Sequence, residues 1–322
     1  MGAACARAAR EGDGKPAALL SEVPARLSAD APNARLSCRT LFIYNLPLVA
    51  TNCVALLFAV FVMKFSTDTL FISPGAMGTI FSVSRLWDSV SDPFIGHLSD
   101  RTTLAFGRRR SWMVAGALPL AASLVIAFTP PAGLSPSALV YWEGVAVVFF
   151  FTFSAVIEVP HLSLGAELTQ GLPPPERNRL FGYRYVVTVL GLVCATVLIY
   201  FLTSAQEEGP EAIRSLAASV SVGVGACLVV LVVLSAINVR EPRPPISQGG
   251  TTASGGGGCL SPFRSLAGVL SNPHARLLSA VYFVEEGGKA VFTLMALYYM
   301  QARREQYLAT RVVPPSPRGR VL

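Results

Sequence analysis

Two carboxylates stand four residues apart in the stretch Ser84-Arg85-Leu86-Trp87-Asp88-Ser89-Val90-Ser91-Asp92-Pro93-Phe94-Ile95-Gly96. On a helix, Asp88 and Asp92 share one face and Arg85 lies one turn before Asp88. A charged side chain near the middle of a membrane span costs about 2.5–3.5 kcal/mol on insertion scales, so such groups face a cavity or a partner and mark an ion path. Carboxylates at this spacing can offer oxygen ligands to Na⁺, with Ser91 adding a hydroxyl. Alternatively, one can hold a proton while the other stays ionised. A purely structural cluster, with Arg85 neutralising one Asp inside a bundle, is the other reading; one Arg cannot neutralise both.

Directly after this stretch come Gly96-His97-Leu98-Ser99-Asp100-Arg101-Thr102 and then Gly107-Arg108-Arg109-Arg110. A small residue permits close helix packing, an Asp four residues later can bond a neighbouring helix end, and the Arg cluster marks a cytosolic loop. A basic loop alone is a topology signal. The ordered spacing of Gly96, Asp100, Arg101, Gly107, Arg108 and Arg109 is more specific.

The elements that must position these residues are membrane helices. The 322 residues are 52% hydrophobic and 14% charged, against about 25% charged in an ordinary soluble domain. Apolar stretches recur at about 20 residues, the length that crosses about 30 Å of hydrocarbon as a helix. Seven spans are expected: 41–65, 75–98, 112–128, 138–164, 180–202, 216–239 and 277–300. Their lack of period-2 alternation excludes barrel strands, so the fold class is all-α, a polytopic membrane protein. The parts expected are a disordered cytosolic arm over 1–40, six helices over 41–239, a Pro/Gly-rich cytosolic linker over 240–276, a seventh helix over 277–300 and a basic tail over 301–322.

Arginines crowd the arm, the 2–3 loop (Arg101, Arg108, Arg109, Arg110), the 4–5 loop (Arg177, Arg179) and the linker, whereas the 5–6 loop carries Glu207, Glu208 and Glu211. The positive-inside bias therefore places the N-terminus in the cytosol and accounts for the net charge of +7. No interleaved aromatics or zinc pattern suggests nucleic acid. The six cysteines give neither a disulfide framework nor a metal site. The first 40 residues lack the apolar core of a secretory signal. Gly2 would suit myristoylation, but position 6 is Ala where Ser or Thr is wanted. Residues 301–322 carry five arginines on the side where the bias expects few, which reads as a truncated or misjoined chain.

Arg-Leu-Trp-Asp-x-x-x-Asp-Pro-x-x-Gly over 85–96, Ser-Asp-Arg-Thr over 99–102 and Gly-Arg-Arg-Arg-x-Trp over 107–112 closely resemble the glycoside-pentoside-hexuronide cation symporters, the melibiose permease group of the major facilitator superfamily. Phe65-Ser66-Thr67-Asp68, Val159-Pro160 before Leu164-Gly165-Ala166-Glu167-Leu168-Thr169, Glu176-Arg177-Asn178-Arg179-Leu180 and Tyr183-Arg184 agree, so the resemblance runs over about 41–300. It implies a facilitator half of two inverted three-helix repeats, followed by the first helix of a second half. It also implies that Asp88 and Asp92 form the cation site, that the ordered residues from Gly96 to Arg109 are a gating motif, and that Glu158 and Arg184 match solute-contacting positions.

A buried Glu and Arg facing one cavity neutralise each other when empty and bond solute hydroxyls when filled; a plain interhelical salt bridge is the alternative. Three positions depart from the pattern. Asn52 replaces an acid at a substrate position, Leu162 an aromatic that stacks on sugar, and Ala155 a hydroxyl that helps bind Na⁺. The same branch holds animal lysolipid symporters, so an amphipathic solute is the second expectation.

The expected function is cation-coupled symport of a small solute across a lipid bilayer, without cofactor or nucleic acid, and with H⁺ favoured over Na⁺. An intramembrane aspartyl protease needs carboxylates from two helices, whereas Asp88 and Asp92 share one. A seven-helix receptor would place the N-terminus outside. Glu285, Glu286 and Lys289 on the seventh span match no motif, and His161 reads as a packed residue more than a proton relay.

Overall fold

The computed structural model describes residues 35–205, 209–242, 271–281, 283–285 and 288. Much of the arm, the linker, the seventh span and all of the tail lie outside the described residues. The chain divides into two units, Met1–Gly250 and Thr251–Leu322. In the second, residues 273–281 are helical.

The described part of the first unit forms six long helices and no strand: α1 (Cys38–Asp68), α2 (Pro74–Arg101), α3 (Arg108–Phe128), α4 (Pro136–Leu168), α5 (Pro174–Ala205) and α6 (Pro210–Asn238). Their starts follow from local chemistry. Ser73 and Ser135 each cap a helix through the side-chain oxygen, with Pro74 and Pro136 at the first helical position, where a missing N–H costs nothing. Ser37 does the same for α1 by accepting from the Arg39 N–H, and the Leu36 N–H donates to Glu176 of α5 at 3.1 Å. These contacts start α1 at Cys38, inside the segment assigned from sequence to the arm.

Prolines interrupt the ladders where they lack a donor. Pro47 tightens α1, so that Leu46 N–H bonds Ile43 at 3.4 Å and Val49 N–H bonds Leu46 at 3.3 Å. Ten residues on, Leu57–Val62 is π-helical. Pro93 removes the N–H that would bond the Ser89 carbonyl, immediately after Asp92.

Five of the six helices are long and apolar enough to cross a membrane. The exception, α2, has the length at 28 residues but carries Arg85, Asp88 and Asp92 along its middle. It packs chiefly on α4, while α1 packs on α5 and α6, and α3 on α4 and α6. Exchanging α1, α2 and α3 for α4, α5 and α6 turns α1–α5 into α4–α2 and α3–α4 into α6–α1, and leaves α3–α6 in place. These main contacts therefore follow the two-fold pattern of a three-helix inverted repeat.

Aromatic rings fill the core between α1 and its neighbours. Phe58 stacks on Phe150 of α4 at 3.6 Å, and Phe61 and Phe65 close on Phe128 of α3 at 5.7 and 5.4 Å. In lipid such packing, more than release of water, holds helices together. Large apolar side chains on α5, among them Tyr185, Val186, Leu190 and Tyr200, remain exposed in this unit.

Candidate functional site

Residues of α1, α2 and α4 enclose a cavity of about 200 Å³. Its polar wall is Arg85, Asp88 and Asp92 from α2 with Ser154 and Glu158 from α4; its apolar wall includes Ala55, Phe58, Phe150, Phe151 and Ala155. The stack of Phe58 on Phe150 and the bond from Trp87 Nε1 to Thr152 Oγ1, at 2.9 Å, tie the walls together.

Three carboxylates and one guanidinium therefore share this space. Arg85 lies 3.6 Å from Asp88 and sits over the Phe151 ring at 4.4 Å, so its charge is shared between an acid and an aromatic face. Glu158 accepts from Ser154 Oγ at 3.2 Å. Asp92 Oδ1 is buried without a hydrogen-bond partner among the described residues. A carboxylate oxygen removed from water and left without a donor is costly, and a cation or a proton is what satisfies it.

Ser91 and Asn52 do not line the cavity. Ser91 is buried with its hydroxyl donating to the Asp88 carbonyl at 3.2 Å, and Asn52 donates to Leu48 O at 2.8 Å, with Thr188 at 3.5 Å. Arg184 also lies outside the lining. It meets Nδ1 of His161 at 3.1 Å and forms no ion pair with Glu158 among the described residues. His161 is 2% exposed and stacks on Tyr44 of α1 at 4.4 Å. It is a packed residue.

The second constellation gathers where α2 ends and α3 begins. Arg109, 7% exposed, donates to Ser99 Oγ at 2.9 Å and to Glu167 of α4 at 3.2 Å, and also pairs with Asp100. Arg108 binds the same Glu167 oxygen at 2.6 Å. The Arg109 N–H donates to Glu241, just beyond α6, at 3.1 Å. Gly107 caps α3 with φ +126°, and a Cβ there would stand 2.6 Å from Glu241. Gly96 brings α2 near Val159, at 3.6 Å from where its Cβ would be. Arg101 is exposed and forms no ion pair among the described residues. The motif thus splits: Asp100, Arg108 and Arg109 join α2, α3, α4 and the end of α6, while Arg101 stays outside.

The family model for MFS/sugar transport proteins matches residues 43–315. The chain belongs to this family. It is an integral multi-pass membrane protein of a transporter family rather than an enzyme family, as its likeness to the glycoside-pentoside-hexuronide symporters implied. It is similar to the inner membrane symporter YicJ of Escherichia coli (strain K12), 33% identical over 139 residues, 43% of this chain and 30% of that protein. The putative glycoside/cation symporter YagG of the same strain is 28% identical over 168 residues, 52% and 36% of the two chains. The isoprimeverose transporter of Lactiplantibacillus pentosus is 31% identical over 150 residues, 47% and 31% of the two chains. The chain spans about a third of the length of these relatives.

Within the family frame, sequence reasoning passed over Tyr44, Phe151 and Glu241. All three act across helices, where spacing along one segment carries no signal. Glu241, an acid placed among linker arginines, was the one visible oddity. No group of three or more His, Cys, Asp or Glu suited to a metal ion occurs among the described residues.

Proposed function

We propose that this chain forms part of a cation-coupled symporter for a small solute of the sugar or glycoside class. The cavity that Asp88 and Asp92 share with Glu158 is the observation that carries this reading, because it puts a cation-binding pair and a hydroxyl-binding acid in one space. The paired aspartates bind the driving ion. Glu158 takes solute hydroxyls, with Arg184 completing the solute site from α5. Hydrogen bonds from a charged carboxylate are roughly twice as strong as neutral ones, which suits it to sugar hydroxyls.

The driving ion is H⁺ in preference to Na⁺. Sodium wants several fixed oxygens, yet Ser91 is not among the residues that line the cavity and Ala155 brings no hydroxyl to it. A proton needs one carboxylate oxygen with room to receive it, as Asp92 Oδ1 has among the described residues. Uptake of p-nitrophenyl glycosides by vesicles holding the full-length protein tests this. Accumulation should follow an imposed pH gradient; accumulation that follows Na⁺ at constant pH and ignores the pH gradient overturns the ion assignment.

The apolar wall of Phe58, Phe150, Phe151 and Ala155 favours a second reading, an amphipathic solute. Inhibition of glycoside uptake by lysophospholipid below its micellar concentration, with no inhibition by free sugars, would favour it. The arginine asymmetry supports a cytosolic N-terminus, and a tag at residue 10 reactive only after permeabilisation is the expected result.

A further inference from the structure

We propose that Tyr44 and His161 are positioning residues that fix the guanidinium of Arg184. This rests on the reading of Arg184 as part of the solute site. Three helices meet here. Tyr44 comes from α1, His161 from α4 and Arg184 from α5, and none of the three lines the cavity of the carboxylates.

The hydrogen bonds determine where the imidazole carries its proton. A guanidinium only donates, so the 3.1 Å contact makes Nδ1 of His161 an acceptor. The single ring proton then sits on Nε2 and is donated to the Tyr44 carbonyl at 2.8 Å. Tyr44 returns the bond, its hydroxyl donating to the His161 carbonyl at 2.9 Å. The rings lie 4.4 Å apart and 9° from parallel. Both residues are buried.

A ring locked by two reciprocal bonds and a stack presents Nδ1 in one direction only, and Arg184 is aimed by it. Any other state of the ring fails. With a proton on Nδ1 it would present a donor to a donor and release the arginine. The arrangement depends on Gly165, because a Cβ there would stand 2.8 Å from Tyr44 Cζ.

The function follows from what Arg184 is spared. A guanidinium neutralised by Glu158 would have to break that pair before meeting a solute, whereas a neutral imidazole holds its direction and leaves its charge available. His161 thus lets Arg184 and Glu158 act on the solute separately. Losing one hydrogen bond to a charged group corresponds to about tenfold in affinity or more.

The test uses the full-length protein in lipid nanodiscs with ¹⁵N-labelled histidine, the His161 signals being assigned by their loss in His161→Asn. Expected are a protonated Nε2, an unprotonated Nδ1, and an Nδ1 signal displaced by Arg184→Met while the His97 signals stay in place. A proton on Nδ1, or an Nδ1 signal indifferent to Arg184→Met, overturns the inference. Uptake of p-nitrophenyl glycosides adds the functional arm. His161→Phe keeps the stack on Tyr44 but offers no acceptor, and should raise KM about tenfold with Vmax nearly unchanged. His161→Asn places a carbonyl oxygen near Nδ1 and should recover most of the loss. A His161→Phe protein with an unaltered melting temperature and an unaltered KM would also overturn the inference. Absence of glycoside uptake by the unaltered protein refutes the solute class instead, and the imidazole spectrum still decides the positioning role.

Discussion

Arg184 donates to the imidazole of His161 at 3.1 Å and leaves Glu158, one turn earlier on the same helix, to Ser154. The acid and the base expected to neutralise each other form no ion pair among the described residues. Substituting either one therefore strands no buried ion-pair partner, and this changes what a mutation should do.

Glu158→Gln should leave the melting temperature of the purified protein within error, because Glu158 holds no ion pair among the described residues and accepts its hydrogen bond from Ser154. Solute affinity should fall by about tenfold, the usual effect of losing one charge-assisted hydrogen bond. Glycoside titration followed by tryptophan fluorescence measures it. A large loss of stability would show that Glu158 does hold a cation in the folded protein.

Asp92→Asn removes the carboxylate whose Oδ1 has no donor among the described residues and puts an amide in its place. Accumulation against a gradient should vanish, while exchange of labelled for unlabelled solute across the same vesicles persists. Asp88→Asn, which also releases Arg85 from its 3.6 Å contact, should impair both.

Arg109→Ala should destabilise the bundle by about 3 kcal/mol, the low end for breaking a buried pair, because Arg108 still holds Glu167 at 2.6 Å. Arg101→Ala, at an exposed position two residues after Ser99, is the control and should change stability by less than about 0.5 kcal/mol. Chemical denaturation of the two variants in mild detergent separates them.

Gly107→Ala forces a side chain into a backbone region that is almost exclusive to glycine, at φ +126°, and drives its Cβ toward Glu241. Strain of this kind costs about 1–3 kcal/mol. The same denaturation experiment should show that loss in the single variant. Removing the Glu241 side chain as well should relieve only the steric part.

The chemistry within single helices was legible in the sequence, and the chemistry between helices was not. Asp88 and Asp92 could be placed on one face from their spacing alone, and the fold class followed from apolar runs separated by loops with uneven charge. The beginning of α1 falls before its apolar run, because its cap, Ser37, and the bond from Leu36 to Glu176 lie outside that run. Asn52 and Arg184 illustrate the other limit. The pattern gives their helices but not their partners: Asn52 turns to its own helix and to Thr188, and Arg184 to His161. A one-dimensional pattern says which helix carries a polar group, and rotation of that helix against its neighbours decides whom it meets.

The weak apolarity of α2 bears on how the protein is made. A ribosome delivers α2 to the membrane before any part of α4, the helix on which it packs, has been synthesised. For that interval Arg85 and Asp88 have only each other and α1 for company, Asp92 lacks the α4 wall of the cavity, and Trp87 has no Thr152 to bond. Stable insertion of the second span should therefore depend on the fourth, and damage to α4 should surface as a topological error in α2, upstream of the lesion.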